Sequence, residues 1–404
     1  IAYAIDMDTI AESILEGMAV VADSIIPNGS MKKPGLEPYA YNPDKARELL
    51  KAANWDSSID LEMIYYYGDQ QTVDLMTAIQ AYLADVGIKM HFRQTTDTAT
   101  ELSLKPDDLV NGPAAVHFDL AYGAHAALAL QAYYNGYATG MSHTPIVPEV
   151  VDLVAAINAS PDPEKQKPAF FEIEQYFTDN LPTLPLYYQP MFIFESKRVN
   201  RNGGLYGNPQ YNYDWGIVNW TVEPDSNGKK ILNSNAGPIE KFEDPWANPG
   251  IRVYTKVLFD RLLTADGSLV PTRGLMAKDY NLSADGLTLD ITLKNGLTWH
   301  DGSALTVDDI TFSIELALHV PTLDTLIHNT FLSLEGAQDF VDGKASGISG
   351  ITTSGNSITF KLATVDPNVL LAFTQFAILP EKYLGGIDPL KFGTNAFWQM
   401  PIGS

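Results

Sequence analysis

Residues 41–55 have the hydrophobic spacing of an amphipathic helix. Apolar side chains recur there at intervals of three and four residues, at Ala46, Leu49, Leu50 and Ala53. Asn42 comes directly before Pro43, and this pair is typical of a helix N-cap followed by the first helical residue. The pattern therefore predicts a helix that Asn42 caps.

The hydrophobic period changes after this helix. Apolar and polar side chains alternate over residues 88–92, as they do in half-buried strands, and residues 61–65 alternate imperfectly, since Ile64 stands at a polar position. Between these stretches, residues 72–86 have helical spacing, and Gly87 is a suitable stop. A strand, a helix and a strand at these distances predict a βαβ unit whose strands are parallel.

Prolines and glycines divide the following part of the chain. Residues 148–158 and 164–179 have helical spacing, and a proline stands beside the start of each. The proline-rich residues 181–190 cannot form a helix interior, so they predict an extended segment. Residues 221–230 combine Pro, Asp, Ser, Asn and Gly without apolar periodicity, which predicts a linker, and the apolar pair 231–232 predicts the start of a strand.

Two hairpins and a capped helix are predicted in the second half. Residues 287–293 alternate, 294–296 form a Lys-Asn-Gly turn, and apolar residues resume at 297–299. Thr306 is followed by two aspartates, as at a helix N-terminus, where the helix dipole favours negative charge. A second hairpin is predicted over 348–362. Together these patterns predict a fold of the α/β or α+β class with two lobes.

Composition narrows the classes of partner. The 404 residues carry a net charge of -23, so nucleic acid, which needs clustered Lys and Arg, is a poor partner. The absence of cysteine excludes disulfides, thiolate zinc sites and thiol catalysis. No apolar run approaches the length of a membrane span. The N-terminus lacks the basic start and cleavage site of a signal peptide, so we expect any targeting segment to lie outside this sequence.

Short catalytic and metal-binding motifs are absent. The sequence contains no H-E-x-x-H, no G-x-S-x-G and no EF-hand loop. Residues 336–344 resemble a phosphate loop, but their glycines are too far apart and Ala345 replaces the required Ser or Thr. His117, His125 and His143 lie in one stretch, and their spacing fits no known ligand pattern. We therefore predict no catalytic residue, no metal and no cofactor.

Motifs in residues 253–318 resemble those of one protein family. They are Asp285-Gly286-Leu287-Thr288, His300-Asp301-Gly302 and Thr306-Val307-Asp308-Asp309. This part of the chain resembles family 5 of the bacterial extracellular solute-binding proteins, which are the oligopeptide, dipeptide and nickel binders of ABC importers. Residues 397–404 are similar to a later turn of the same family. We interpret the turn residues of these motifs as structural.

The first half of the chain resembles the same family. Residues 1–6 are similar to one of its helices, 41–55 to a second helix, and 181–190 to one of its late strands. The two halves stand in the reverse of the family's order, as in a circular permutant joined near 221–230. The family segment that would connect the other ends is missing from this sequence.

The resemblance implies a particular organisation and location. The fold would be α/β and of the periplasmic-binding-protein type, with two lobes, a hinge, and mixed sheets flanked by helices. Residues 1–180 would form the ligand-binding second lobe, 181–222 the return segment and 223–404 the first lobe. The implied function is that of an extracytoplasmic solute-binding subunit, in the periplasm or on the outer face of the cell membrane. Its partners would be ABC permease subunits, and its lipid anchor would lie outside this sequence.

The resemblance also indicates the ligand contacts. Residues 118–140 match the segment that meets the ligand in peptide-binding members, where an acidic residue holds the peptide amino group. Here residues 122–128 contain no acid, so a buried ammonium would lack its counter-charge. Residues 237–250 match a loop that faces the ligand. The predicted ligand-binding residues are Tyr122, Gly123, His125, Tyr133, Tyr134, Glu240, Phe242, Trp246 and Trp398.

Several ligands and functions are compatible with the sequence motifs and the predicted ligand contacts. Family frequency favours an oligopeptide, whereas the missing acid and the aromatic side chains favour an oligosaccharide, and a metal chelate is the least favoured. One alternative is a glycoside-active enzyme with two carboxylates across an aromatic cleft. Another is a sensory domain that passes its ligand to a receptor. We predict a binding protein and not an enzyme.

Overall fold

The structure is a computed structural model in which the chain divides into two units. It describes residues 1–96, 101, 118–125, 129–139, 146–190, 195–202, 219–233, 244–247, 253–265 and 270–404. Unit 1 comprises Ile1–Ile157 and Glu164–Phe192, and unit 2 comprises Asn158–Pro163 and Ile193–Ser404. No helix within these described ranges is both long enough and apolar enough to cross a membrane.

Unit 1 alternates helices with short strands. Its helices are α1 (Met7–Ser13), α2 (Pro43–Ala52), α3 (Gln70–Asp85), α4 (Ala132–Thr139), α5 (Pro148–Asn158) and α6 (Pro163–Asn180). Its strands are β1 (Val20–Val21), β2 (Asp60–Tyr65), β3 (Lys89–Gln94), β4 (Leu120–Tyr122) and β5 (Tyr187–Tyr188). A 3-10 turn at Ala2–Ala4 precedes α1.

A parallel sheet with the strand order β3-β2-β4 is the framework of unit 1. β2 is parallel to β3 along its whole length, and α3 connects the two strands, so the predicted βαβ unit is confirmed. Asp69 begins α3 by accepting a hydrogen bond from the Thr72 N–H at 2.9 Å. Gly87 follows α3 with a φ of 90°, a conformation that glycine adopts without strain.

The other helices predicted in unit 1 are also confirmed. The Asn42 side chain accepts from the Lys45 N–H at 2.9 Å, and Pro43 is the first residue of α2. The helices predicted at 148–158 and 164–179 correspond to α5 and α6.

Two hydrophobic cores stabilise unit 1. In the sheet core, α3 packs on β2 and β3 with Ile79 and Leu83 buried. In the helical core, α4, α5 and α6 pack together with Ile157 and Phe170 buried. Each such fully buried side chain contributes about 1.5 to 3 kcal/mol. The segment predicted to be extended at 181–190 contains β5, which is antiparallel to β1.

Unit 2 contains further helices and antiparallel strands. Its helices are α7 (Val253–Leu258), α8 (Val307–Ala317), α9 (Thr325–Leu332), α10 (Ala337–Val341), α11 (Val369–Gln375) and α12 (Glu381–Leu384). Its strands are β6 (Val199–Asn200), β7 (Thr221–Val222), β8 (Leu263–Ala265), β9 (Pro271–Gly274), β10 (Ala277–Leu282), β11 (Thr288–Leu293), β12 (Ile351–Ser354) and β13 (Ser357–Lys361). Two 3-10 segments, Pro389–Thr394 and Ala396–Gln399, follow α12.

The main sheet of unit 2 has the order β10-β11-β13-β12. The hairpin predicted over 348–362 is confirmed as β12 and β13. The hairpin predicted over 287–299 is wrong, because β11 pairs with β10 and β13 rather than with 297–299. The turn that reverses the chain precedes β11. There, Asp285 accepts from the Leu287 N–H at 3.0 Å.

The strand predicted at residues 231–232 is also wrong. Ile231 and Leu232 are 48% and 41% exposed and lie in irregular structure, so within the described residues this apolar pair forms no strand. Within the predicted linker, Thr221–Val222 form β7, which pairs with β6. The rest of that segment turns at Gly228, whose φ is 76°.

The family motifs of unit 2 hold turns together. Asp301 accepts hydrogen bonds from the side chains of Lys382 and Tyr383, each at 2.7 Å. The His300 N–H donates to the Gly403 carbonyl at 2.9 Å, and the Gly403 N–H donates to His300 Nδ1 at 3.3 Å. These contacts join distant loops, in agreement with a structural role for the motif residues.

The start of α8 gives a test of the capping prediction. The Thr306 hydroxyl accepts from the Asp308 N–H at 3.2 Å, and the Asp309 carboxylate accepts from the Thr306 N–H at 3.0 Å. We expect Thr306→Ala to lower the free energy of unfolding by about 1 kcal/mol. Thr306→Ser keeps the hydroxyl and is the matched control. Denaturant titration measures both, and an alanine variant as stable as the serine variant would contradict this account.

Candidate functional site

Four tyrosines gather at the carboxyl edge of the parallel sheet in unit 1. Tyr66 and Tyr67 follow the last residue of β2, Tyr122 ends β4, and Tyr187 lies in β5. We call Tyr66, Tyr67, Tyr122 and Tyr187 the tyrosine cluster. In open α/β structures, ligands bind outside the carboxyl ends of the strands. The cluster therefore occupies a position at which a binding site is expected.

Hydroxyl hydrogen bonds and ring contacts hold the tyrosine cluster together. The Tyr66 hydroxyl donates to the Tyr67 hydroxyl at 2.8 Å, and their ring centroids are 4.1 Å apart. The hydroxyls of Tyr122 and Tyr187 share a hydrogen bond of 2.6 Å. The rings of Tyr67 and Tyr122 meet edge to face, with centroids 6.5 Å apart. All four side chains are half-buried, so each is only partly covered by protein.

Gly123 makes room for the cluster. A Cβ atom at this position would lie 2.9 Å from the nearest atom of the Tyr66 ring, which is closer than real Cβ atoms approach. A larger residue at position 123 would therefore displace the Tyr66 ring. Gly123 was predicted as a ligand-binding residue from its sequence position, and the structure places it directly beside the cluster.

Two phenols of the cluster, Tyr122 and Tyr67, have raised pKa values. Burial raises the pKa of Tyr122 well above its ordinary value, and the hydrogen bond with Tyr187 raises it further. Burial likewise raises the pKa of Tyr67, followed by the hydrogen bond with Tyr66. Both hydroxyls stay protonated, so they can donate and accept hydrogen bonds without carrying charge.

His125 and Tyr133 form a second aromatic pair near the end of β4. Their ring centroids are 4.5 Å apart, with the planes inclined by 37°. His125 has an exposed surface, yet neighbouring atoms remove enough water to lower its pKa, which favours the neutral imidazole. Tyr134 faces the other way, into the helical core, where its ring meets Phe177 edge to face at 5.2 Å.

The predicted aromatic contacts of unit 2 lie in its core. Trp246 has 0% exposure and stacks on both Phe376 and Phe392, with ring centroids 5.2 and 4.6 Å away. Trp398 is 1% exposed and packs edge to face against Phe392 at 5.2 Å. Their ring N–H groups donate to backbone carbonyls at 2.8 and 2.7 Å. The structure thus gives both indoles a packing role.

Other predicted positions fall outside the described residues. Glu240 and Phe242 lie there, as do His117 and His143 of the histidine stretch. In the part of the chain that the structure describes, no three His, Asp or Glu side chains lie close enough together to hold a metal ion.

Sequence reasoning missed three members of the cluster, namely Tyr66, Tyr67 and Tyr187. A usable signal existed for Tyr66 and Tyr67, because they directly follow a strand that was predicted to be parallel. For Tyr187 no such signal was available, because it is 65 residues away from Tyr122 in the chain and meets it only in the folded structure.

Comparison with known sequences identifies the family. The family model for bacterial extracellular solute-binding proteins, family 5 Middle, matches residues 1–141 and 272–404. These two stretches make up more than half of the chain, so the chain belongs to family 5 of the bacterial extracellular solute-binding proteins. The resemblance read from the motifs is thereby confirmed, as is the α/β class of the fold.

Individual relatives match shorter stretches. A dipeptide-binding protein of Lactococcus lactis is 35% identical over 125 residues, which are 30% of this chain and 22% of the relative. A Brucella abortus protein, named as a candidate ABC transporter peptide-binding protein, is 35% identical over 105 residues, or 25% of this chain and 20% of the relative. The chain therefore spans about a fifth of the length of the curated relatives that it matches.

Solved structures show partial similarity. An oligopeptide-binding protein of Bacillus subtilis in complex with a nonapeptide is 24% identical, with a TM-score of 0.34 over 42% of this chain and 31% of the other. A mannohexaose-bound oligopeptide-binding protein of Thermotoga maritima is 22% identical, with a TM-score of 0.37 over 46% and 40% of the two chains. Similarity at this level is too partial to assign a role to any residue of the site.

The raised phenol pKa values give a test of the cluster. A tyrosine whose pKa is higher in the folded state holds its proton where the unfolded chain has lost it, so it contributes stability that is lost as pH rises above about 10. We expect Tyr122→Phe to flatten the loss of stability between about pH 9 and 11, because one such group is removed. Melting temperature measured against pH tests this, and an unchanged slope would contradict the burial of the Tyr122 hydroxyl.

Proposed function

We propose that this chain is the extracytoplasmic solute-binding subunit of an ABC importer, which captures an oligopeptide or a similar short oligomer at the tyrosine cluster. The observation that carries the proposal is a neutral group of hydroxyls and rings at the carboxyl edge of a parallel sheet. Membership of family 5 supports the transport role, with permease subunits as partners at the outer face of the cell membrane or in the periplasm.

The hydrogen-bonding groups and rings of the cluster suit a ligand built from neutral repeating units, such as a peptide or an oligosaccharide. A phenolic hydroxyl both donates and accepts, as do the amides of a peptide backbone taken together and the hydroxyls of a sugar. Tyrosine rings add flat apolar faces against which a peptide side chain or a sugar ring can pack. Recognition of backbone groups tolerates variation in sequence, which suits a protein that collects many related solutes.

The candidate ligands differ in whether they carry a charged group, such as a peptide's terminal ammonium, where they meet the cluster. The segment from Tyr122 to Leu128 contains no acid. Asp69, which contributes to the raised pKa of Tyr122, already accepts hydrogen bonds from the N–H and hydroxyl of Thr72, each at 2.9 Å. Burying an ammonium without a dedicated counter-charge is unfavourable. We therefore propose a ligand that is uncharged where it meets the cluster, either internal or blocked peptide or neutral oligosaccharide.

We assign the chain to two lobes as the family resemblance implies. Residues 1–180 are taken as the ligand-binding lobe, 181–222 as the return segment and 223–404 as the first lobe. The division of the chain into units 1 and 2 supports the presence of two lobes. The core positions of Trp246 and Trp398 support a stabilising role for both in the first lobe.

Binding without turnover is part of the proposal. A glycoside-active enzyme would need two carboxyl groups about 5 to 10 Å apart across the bound sugar. The tyrosine cluster consists of uncharged phenols, and the carboxylate of Asp69 is occupied in capping α3. These features favour a site that holds its ligand and releases it unchanged.

A ligand screen tests the function. The full chain is melted with a hexapeptide, the same peptide acetylated and amidated at its ends, and a neutral hexasaccharide. We expect the blocked peptide or the saccharide to raise the melting temperature more than the free peptide, since a ligand at 100 times its Kd adds about 2.7 kcal/mol of stability. Chromatography of the recovered ligand should show it intact. Stabilisation by none of the three, or cleavage of the saccharide, would contradict the proposal.

Single hydroxyl deletions test the location of the site. We expect Tyr67→Phe and Tyr122→Phe each to weaken binding about 2- to 10-fold, because one hydrogen bond contributes about 0.5 to 1.5 kcal/mol. Tyr41→Phe is the matched control, since Tyr41 is a 41% exposed tyrosine of the same unit outside the cluster. Titration calorimetry gives the affinities. Equal losses in all three variants, or a loss in none, would place the ligand elsewhere.

A further inference from the structure

Strand β5 presents two adjacent tyrosines to different parts of unit 1. Successive side chains of a strand point to opposite faces. Tyr187 packs against the sheet core, and its hydroxyl meets that of Tyr122. The Tyr188 hydroxyl instead reaches the loop that follows β1, at residues 23–33. The strand therefore connects the tyrosine cluster to a second, separate set of contacts.

The Tyr188 hydroxyl lies in a socket of polar groups. Its oxygen is 2.9 Å from the Asp23 carboxylate, 2.7 Å from the Ser24 carbonyl and 2.9 Å from the Ile26 carbonyl. Lys32 forms an ion pair with Asp23, and its Nζ lies 5.0 Å from the centroid of the Tyr188 ring. We call Asp23, Ser24, Ile26 and Lys32 the Tyr188 socket. Burial, then the bond to Asp23, raises the pKa of Tyr188, so its hydroxyl remains a donor.

Helix α6 anchors this socket. The Glu174 carboxylate, in a side chain that is 1% exposed, accepts from the Ser24 hydroxyl and from the Lys33 N–H, each at 2.6 Å. Ile26 and Met31 of the same loop are buried in the helical core. The loop is thus held by both polar bonds and apolar packing, and it offers Tyr188 a fixed point of attachment.

Backbone pairing alone specifies the register of β5 weakly. The β1–β5 ladder consists of two residue pairs, Val20 with Tyr188 and Val21 with Tyr187. Ladders this short have little stability of their own, and a slip of one residue moves each side chain to the opposite face. Such a slip would turn Tyr187 away from Tyr122. The Ala22 N–H continues the pairing by donating to the Leu186 carbonyl at 3.1 Å, and the bonded Tyr188 hydroxyl adds a side-chain restraint on the register beside this short ladder.

We propose that Tyr188 is a positioning residue for the candidate ligand site, because its hydroxyl, held in the Tyr188 socket, fixes Tyr187 against Tyr122. The effect on ligand binding rests on the function proposed above, whereas the effect on the structure of the cluster does not. Tyr188 itself acts through Tyr187 and belongs to the opposite face of the strand.

Hydrogen exchange in the ligand-free full chain tests the positioning directly. Tyr188→Phe keeps the ring and removes the hydroxyl. We expect the amides of residues 118–125 to exchange about threefold faster or more, since the restraint on the end of β4 is lost. Tyr187→Phe removes the contact itself and is expected to give the same result. Asn42→Ala removes the N-cap hydrogen bond of α2, which lies in unit 1 outside the Tyr188 socket, and should leave residues 118–125 unchanged.

Two results of the exchange experiment would contradict the positioning role of Tyr188. Unchanged protection of residues 118–125 in Tyr188→Phe, with faster exchange in Tyr187→Phe, would overturn the positioning role. Faster exchange in Asn42→Ala to the same degree would also overturn it, because the effect would then be general destabilisation of unit 1. If Tyr188→Phe gives no cooperative melt, Asp23→Asn replaces it, since that change weakens the socket while keeping its shape.

A double-mutant cycle tests whether Tyr188 affects ligand affinity through Tyr122. Affinity for the ligand found in the screen is measured for Tyr188→Phe, Tyr122→Phe and the double variant. We expect Tyr188→Phe to weaken binding about threefold alone and less than about 1.5-fold in the Tyr122→Phe background, since coupled residues act non-additively. Additive losses would overturn the coupling. A wild-type chain that binds none of the ligands would contradict the proposed function, and the exchange data would still decide the positioning role.

Discussion

A tyrosine hydroxyl that leaves water needs a hydrogen-bond partner, and this requirement organises the candidate site. The Tyr122 hydroxyl bonds to that of Tyr187, the Tyr66 hydroxyl to that of Tyr67, and the Tyr188 hydroxyl to the loop after β1. Two of these three hydroxyls bond to a segment other than their own, so the bonds fix β4 relative to β5 and β5 relative to the loop. Because the partners within the cluster are phenols, the edge of the sheet remains polar without becoming charged.

The cluster offers hydroxyls and rings rather than charges, and this affects how it would bind and release a solute. A binding subunit must hold a solute firmly enough to capture it and must also release it. Hydroxyl and ring contacts are individually modest, so total affinity depends on how many are satisfied together. The number of contacts that a ligand can make at once depends on how strands β4 and β5 and the residues after β2 are placed relative to one another. Rigid placement of the phenols therefore matters more to such a site than any single strong charge.

Local sequence signals predicted much of the fold. Asn42 and Thr306 begin helices as their side-chain chemistry indicates, and the alternation around 61–92 gave the βαβ unit. The hairpin over 287–299 failed for a physical reason. A strand has two edges, and turn-forming sequences stand at both ends of β11, with Gly286 and Gly296 each at a positive φ. Alternation alone does not reveal which turn joins a pair of strands.

The site was only partly predictable. Tyr122 and Gly123 were predicted through the family resemblance and lie at or beside the tyrosine cluster, but the tyrosines after β2 become significant only once the sheet is known to be parallel. Trp246 and Trp398 were predicted as ligand contacts and are buried in the core of unit 2, because a sequence pattern places an aromatic residue in a loop without revealing whether its ring faces are covered. Long-range pairing and burial are properties of the folded chain, and single-residue patterns carry little of that information.

Selective NMR of the tyrosine rings, during titration with the ligand found in the screen, tests whether the tyrosine cluster holds the solute. We expect saturable shifts for Tyr66, Tyr67, Tyr122 and Tyr187, with the buried indoles of unit 2 unchanged. Saturable binding that leaves these four rings unaffected would show that the solute is held elsewhere and would contradict the assignment of the tyrosine cluster as the ligand site.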